Sequence, residues 1–379
     1  MSKWTDFLDK GYGVDIIYLD YRKAFDTVPH KRLLTKICQA GIGGKVLNWI
    51  RAFLSDREMR VVVNKQSSAW APVTSGVPQG SVLGPLLFLI YVNDLPEWIK
   101  NDMSMFADDT RIWSRINGLN DCVELQADLN QLHLWSDRWL LRFNPDKCKV
   151  MHIGHNYRFH YAIQQNNSVH QLSDTAEERD LGIMVTDKLG STVQCAEAAK
   201  KAMKVLGMIR RQFKDIDKEC FLILYKSFTK LVRPHMEFAI QAWSPYLKRD
   251  IECLEKVQHR ATKLVKRLKN LSYEDRLCKL SLTTLAERRL RGDLIETYKI
   301  ITGKEKIKKE DFFELSDTGY NLRGHCYKLA TQRCHLEVRR NFFSQRVVVP
   351  GISCQPTSLK HHLSTPSRID YDKIKSGAR

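Results

Sequence analysis

The chain has 379 residues, 43% of them apolar, and carries 61 Lys and Arg against 43 Asp and Glu, a formal net charge of +18. That length and apolar content exclude a disordered chain and predict two or three domains with real cores. No apolar run is long enough to span a membrane, the amino terminus is too polar for a signal peptide, and ten cysteines without a C-x-x-C pair read as reduced thiols of a nuclear or cytoplasmic protein.

In chain order, residues 14–19 form a β-branched and aromatic run that predicts a buried strand ending at Asp20. Residues 30–39 predict a helix with Leu33, Leu34 and Ile37 on one face and Gly41 as its stop, and a second helix follows over 45–54. Residues 60–64 predict a strand with 70–73 as its partner. Residues 76–80 are loop chemistry, and Ser81 is a candidate N-cap for an apolar helix running to about Asn93. A strand, a turn at Asp108-Asp109 and a second strand follow over 103–114. Residues 119–139 predict a long amphipathic helix, and 142–143 and 148–153 predict strands on either side of Asn144-Pro145-Asp146-Lys147. Beyond residue 190 the period turns helical, with segments 196–213 and 251–268 the clearest. From Pro350 the composition reads as a tail.

The charge is uneven along this order. Residues 1–110 hold 13 basic and 12 acidic side chains and the remainder 48 and 31, so +17 of the +18 lies after residue 110. Such an excess points to nucleic acid or an anionic surface and says nothing of fold.

A single Asp beside a strand is ordinarily a turn cap. Two adjacent aspartates flanked by Phe106-Ala107 and Ile112-Trp113 are different, because two close carboxylates cannot both stay ionised without a counter-cation. Magnesium suits one or two carboxylates plus phosphate oxygens, and a metal pair could clamp an in-line displacement at phosphorus.

Residues 18–26 (YLDYRKAFD), 75–85 (SGVPQGSVLGP) and 106–109 (FADD) resemble, in order and spacing, the first three palm motifs of reverse transcriptases. The connecting stretches are similar to jockey-type and chicken-repeat non-LTR retrotransposons, and the resemblance extends over residues 4–348. It implies an α+β fold: a right-hand polymerase palm, with a ferredoxin-like antiparallel sheet and helices, followed by a helical thumb. Residues 1–190 would be the palm with its fingers truncated, 191–300 the thumb and following basic helices, and 301–379 a C-terminal extension whose last thirty residues read as disordered or frameshifted.

The resemblance also assigns roles. Asp20, Asp108 and Asp109 match the metal ligands and their companion, with the Tyr21 carbonyl as a further contact, for two Mg²⁺ ions that Mn²⁺ could replace. Backbone at Lys23 and Ala24 would face the triphosphate. Phe25 would bar a 2′-hydroxyl, the alternative being a core Phe. Gln79 and Gly80, in a glycine-flanked turn, would lie against the incoming nucleotide. Lys147 matches a general acid for pyrophosphate, where a solvated turn lysine is the plain alternative. Residues 181–185 resemble the hairpin that grips the primer end. Lys200, Lys204 and Arg211, and then Lys256, Arg260, Lys263 and Arg267, would form two stripes toward the template–primer backbone. The supporting excess is 18 basic against 7 acidic residues over 199–269.

The expected activity is RNA-directed DNA polymerisation, with dNTPs added to a DNA primer end on an RNA template and no membrane partner. Only 19 residues precede Asp20, so the reading is of a copy without endonuclease and most of the fingers, for which another chain is a candidate source. Residues 350–352 (PGI) are encoded as CCN-GGN-ATH, and one frame over this can read Trp-Asn, where the resemblance fails. A frameshift is therefore expected, and coding DNA without that reading would overturn it. The alternative function is a catalytically inactive nucleic-acid-binding remnant. A group II intron maturase is disfavoured because nothing after residue 300 resembles a maturase domain.

Overall fold

The computed structural model describes residues 1–155, 158–165, 168–213, 215–227, 232–315 and 329–348. The tail from Pro350, its frameshift reading and Cys326 lie outside them. The chain divides into two compact units, Gly11–Glu177 and Met1–Lys10 with Glu178–Arg379.

The first unit is a five-stranded sheet with helices. Its strands are β1 (Gly13–Leu19), β2 (Asp102–Phe106), β3 (Asp109–Ile116), β4 (Lys149–Ile153) and β5 (Ser173–Asp174), in the order β5-β4-β1-β3-β2. Central β1 is antiparallel to β3 and β4, β2 is antiparallel to β3, and only edge strand β5 runs parallel to its neighbour. Nearly every residue of β1 is buried, which explains a largely apolar run, interrupted by Asp15, rather than strict alternation.

Helices α1 (His30–Gln39), α2 (Gly44–Leu54), α3 (Leu83–Val92) and α4 (Leu119–Trp139) supply the rest of the core. Leu33 and Ile37 of α1, Phe88 and Tyr91 of α3 and Leu125, Leu129 and Trp135 of α4 join Ile17 and Leu19 in one apolar cluster. The α1 and α4 bounds equal those predicted. The N-cap position of α3 falls on Val82, one residue after the candidate Ser81, whose hydroxyl nonetheless accepts from the Gly84 N–H at 2.9 Å. The buried Asp128 of α4 accepts from the backbone N–H groups of Lys100 (3.0 Å) and Asn101 (2.8 Å), fixing the residues from which β2 departs.

One predicted strand pairing and one predicted strand fall differently. Asn64 and Lys65 both adopt left-handed φ, 50° and 67°, and such a two-residue turn matches the twist of a hairpin. Val62–Val63 therefore folds back on Gln66–Ser67, and Glu58–Met59 pairs with Ala71–Pro72. Arg142-Phe143 makes no strand; Phe143 forms a single bridge with Tyr21.

Lys36 is buried within this unit. Its ammonium donates to the Tyr91 carbonyl and the Asp94 carboxylate. It sits 4.0 Å from the ring centroid of Trp139, 4.8 Å from that of Trp135 and 5.0 Å from that of Tyr91. Burial outweighs the Asp94 charge and lowers its pKa from 10.5 to about 8. Between those two values the unfolded chain binds the extra proton, so this group makes stability rise with pH there. Opposing terms begin at pH 9.0, where the unfolded Cys148 thiol ionises while burial holds the folded one up to about 11. They grow at 10.0 with Tyr21 and Tyr91, both pushed up by burial. The unfolding free energy of the wild type from urea titrations is expected to rise between pH 8 and 9 relative to Lys36→Met, by roughly 1 kcal/mol. Parallel pH profiles would show that Lys36 is not the group responsible.

The second unit is helical, with a two-stranded hairpin, Glu177–Asp180 and Ile183–Thr186, at its start. Helix α5 (Thr192–Gln212) packs on α6 (Lys248–Thr262), and α7 (Tyr273–Leu280) and α8 (Leu285–Ile301) follow. Ala202, Leu206 and Ile209 of α5 and Leu254, Val257 and Ala261 of α6 share one core, while Phe213 lies past the end of α5 and is exposed. The predicted helix over 251–268 stops at Thr262. Val265 bridges Ile216 and Lys266 N–H donates to the Ile216 carbonyl at 3.3 Å, so a contact with a distant segment pulls the chain out of the helix. Among the described residues no helix is long and apolar enough to cross a membrane.

Candidate active site

Register brings the predicted aspartates together. β1 pairs Leu19 with Thr110, so the next residues, Asp20 and Asp109, leave the ladder at the same end of the sheet. β2 and β3 close through Phe106 opposite Asp109, leaving Ala107 and Asp108 as a two-residue turn. Ala107 holds φ 55°, an uncommon conformation for a residue with a Cβ and of a kind that gathers at functional sites. It presents Asp108 and Asp109 exposed at the hairpin tip.

Electrostatics give the same grouping. The Asp109 carboxyl is raised above the ordinary range by burial of its surroundings and then by the negative charges of Asp108 and Asp20, with Arg111 acting in the opposite sense. A proton or a cation would relieve that crowding. Lys147 stands 3.6 Å from Asp20, and Asp20 Oδ1 is buried without a hydrogen-bond partner. Three converging carboxylates, one with an oxygen that accepts no hydrogen bond and has only the Lys147 ammonium 3.6 Å away, are a donor set suited to a hard divalent cation.

The loop that carries Lys147 is fastened to the end of β1. Asn144 N–H donates to the Asp20 carbonyl and Arg22 N–H to the Arg142 carbonyl, both at 2.8 Å. The Asp20 N–H lies 3.4 Å from the buried Cys148 sulfur. Tyr21 stacks on Phe143 at 4.8 Å. Cys148 was not among the residues expected to matter, and nothing in its local sequence distinguished it from a core thiol.

A second group forms around the turn at 75–80. Lys23, with φ 52°, opens the short helix Ala24–Thr27. Val77 N–H donates to the Phe25 carbonyl at 2.7 Å and Gly76 N–H to the Val28 carbonyl at 2.8 Å. Gly76 holds φ +90°, and a Cβ there would come within 2.8 Å of the Asp26 backbone, so only glycine admits this approach. Gln79 donates its amide to Asp26 Oδ1 at 2.9 Å, which makes Asp26 a positioning residue that the sequence reading passed over although it closes the first motif. Gly80 has φ +81° with open space around it. The half-buried Phe25 ring stacks on Phe88 at 4.5 Å.

The basic residues lie in the second unit. Lys200, Lys204 and Arg211 are exposed on or at the end of α5, and Lys256 and Arg260 are exposed on α6. Lys200 pairs with Glu197 at 3.6 Å, and Arg260 reaches across to Met203. Lys263 caps α6 and Arg267 sits in the short turn Lys266–Leu268, so the second stripe is not one continuous helical face. In the hairpin of residues 181–185 the turn residues Leu181 and Gly182 are both left-handed.

The profile described as Reverse transcriptase (RNA-dependent DNA polymerase) matches residues 9–209. The chain is 33% identical over 150 residues to a probable RNA-directed DNA polymerase from transposon BS of Drosophila melanogaster, across 37% of this chain and 16% of that protein. It is 32% identical over 149 residues to the RNA-directed DNA polymerase from mobile element jockey of the same fly, with the same coverage. The match thus spans about a sixth of the length of these relatives. A solved telomerase from Candida albicans, in complex with a telomeric RNA fragment, superposes with TM-score 0.38 and 12% identity over 70% of this chain and 51% of that one.

Proposed function

This chain belongs to the reverse transcriptase (RNA-dependent DNA polymerase) family, and from that premise we propose that it is the palm and thumb of a jockey-type non-LTR retrotransposon polymerase, adding dNTPs to a DNA primer end on an RNA template. The observation that carries the reading is the convergence of Asp20, Asp108 and Asp109 at one end of the central strands of the matched unit.

Asp20, Asp108 and Asp109, with the Tyr21 carbonyl, would hold two Mg²⁺ ions, for which Mn²⁺ can substitute. Bound there, divalent cations neutralise charge on the transferred phosphoryl group. The chain's own groups do the rest. Backbone amides at Lys23 and Ala24, at the opening of a short helix, orient the triphosphate. The turn at Gln79 and Gly80, held to the first motif through Asp26, orients the base and sugar. Lys147, kept beside Asp20, donates a proton to departing pyrophosphate. The exposed cations of α5 and α6 contact template–primer phosphates without reading sequence.

Primer extension by the purified full chain, with Mg²⁺, an RNA template and a DNA primer, tests this reading. Templated incorporation supports it. Retained RNA binding without incorporation would instead leave an inactive nucleic-acid-binding remnant. A finer test concerns Phe25. If its ring lies under the sugar, Phe25→Val raises ribonucleotide relative to deoxynucleotide incorporation on the order of a hundredfold, the scale at which an apolar wall discriminates a hydroxyl. An unchanged ratio with lowered stability would make the ring a core residue only, stacked on Phe88.

A further inference from the structure

The first unit holds a second cluster of metal-ligating side chains. Asp15 of β1 is fully buried on the same side of the strand as Ile17 and Leu19. Its Oδ1 lies 2.6 Å from Nδ1 of His152, its cross-strand partner on β4, and 2.8 Å from Nε2 of His155 just beyond β4. We propose that Asp15, His152 and His155 form a zinc site, with Asp15 Oδ1, His152 Nδ1 and His155 Nε2 as its protein ligands.

Four features support a built site. First, a fully buried carboxylate needs compensating positive charge, and one Zn²⁺ with two neutral imidazoles supplies it. Second, His152 faces carboxylates from both nitrogens, because its Nε2 lies 3.5 Å from Asp174. A neutral imidazole has a single N–H. Metal at Nδ1 with the proton at Nε2, directed at Asp174, satisfies both sides and is the usual arrangement around a zinc-bound histidine. Third, the outer oxygen of Asp15 accepts from the buried Tyr161 hydroxyl at 2.7 Å, as ligating carboxylates commonly do. Fourth, the site is cleared for His155: a Cβ on Gly13 would meet that ring at 2.1 Å. Gly13 has no special backbone conformation to excuse it, so its smallness serves the histidine.

The donor chemistry selects the metal. Two imidazoles and one carboxylate suit zinc, whereas magnesium prefers oxygen ligands and retains water. Ligands on one tetrahedral zinc stand roughly 3.3 Å apart, so metal entry spreads the present contacts by about half an ångström. For two neutral imidazoles whose N–H groups face Asp15, metal entry moves each ring proton to the opposite nitrogen, so that no proton need leave. Three protein donors leave a fourth position for water. The metal would clamp β1, β4 and the chain that leaves β4.

The test uses the full chain, stripped with chelator and then titrated with Zn²⁺ alone or Mg²⁺ alone, with bound metal and melting temperature as readouts. Near-stoichiometric zinc with a raised melting temperature that Mg²⁺ does not reproduce is expected. His155→Gln should lose both responses while retaining its far-ultraviolet circular dichroism. Asp174→Asn, an exposed position that is not a ligand, should weaken zinc binding by about 10–100-fold and keeps the test decisive if His155→Gln fails to fold. Absence of zinc binding in the wild type, or zinc binding unaltered by either substitution, would overturn the proposal.

Discussion

Asp108→Asn is expected to lower nucleotide incorporation by at least about a thousandfold, the rate equivalent of the several kcal/mol that a metal-held transition state gains. The substitution is close to isosteric and suits a turn position, so the hairpin should keep its shape. Its thermal behaviour should run the other way. Asp108 is exposed and one of the charges that raise the Asp109 carboxyl, so removing it relieves like-charge crowding, and melting temperature should stay level or rise slightly. Loss of activity with unchanged or improved stability is the signature of a group retained for chemistry. Equal incorporation by wild type and variant, or a large fall in melting temperature, would count against the site.

Trp135→Ala is expected to have the largest effect on stability. Trp135 is completely buried, forms one wall around the Lys36 ammonium and donates its indole N–H to Asp94 at 3.1 Å. Truncating a buried Trp costs about 3–5 kcal/mol through lost transfer and cavity formation. For a unit of this size that corresponds to a fall in melting temperature on the order of 10 °C. The loss would also open one wall beside a buried cation and take a donor from its carboxylate partner. Thermal unfolding of the full chain, monitored by circular dichroism, measures it, and a fall of only a degree or two would show that the cage contributes little.

Much of the fold was legible because its signals are local. Helical periodicity placed α1 and α4 to the residue, and a β-branched and aromatic run marked β1 as a buried strand. Glycine requirements were legible as turn chemistry, although only the approach of Gly76 to the Asp26 backbone explains why that glycine has no substitute. The pairings over 58–72 were misread because Asn64-Lys65 closes the hairpin earlier than the apolar pattern suggests. The helix over 251–268 was overextended because its stop is a bridge to Ile216, which no helical period contains.

The sequence by itself determined which carboxylates to consider, the family they resemble and the basic character of everything after residue 110. Only the tertiary structure decided that Asp20 follows the Leu19–Thr110 pair, where its charge acts on Asp109, and that Lys147 stands beside it. It alone brought Asp15 to His152, 137 positions away, and enclosed Lys36 among three aromatic rings. The division has a physical cause. Turn chemistry and hydrophobic period act over a few residues, whereas register and buried charge are settled by the packing of segments far apart in the chain.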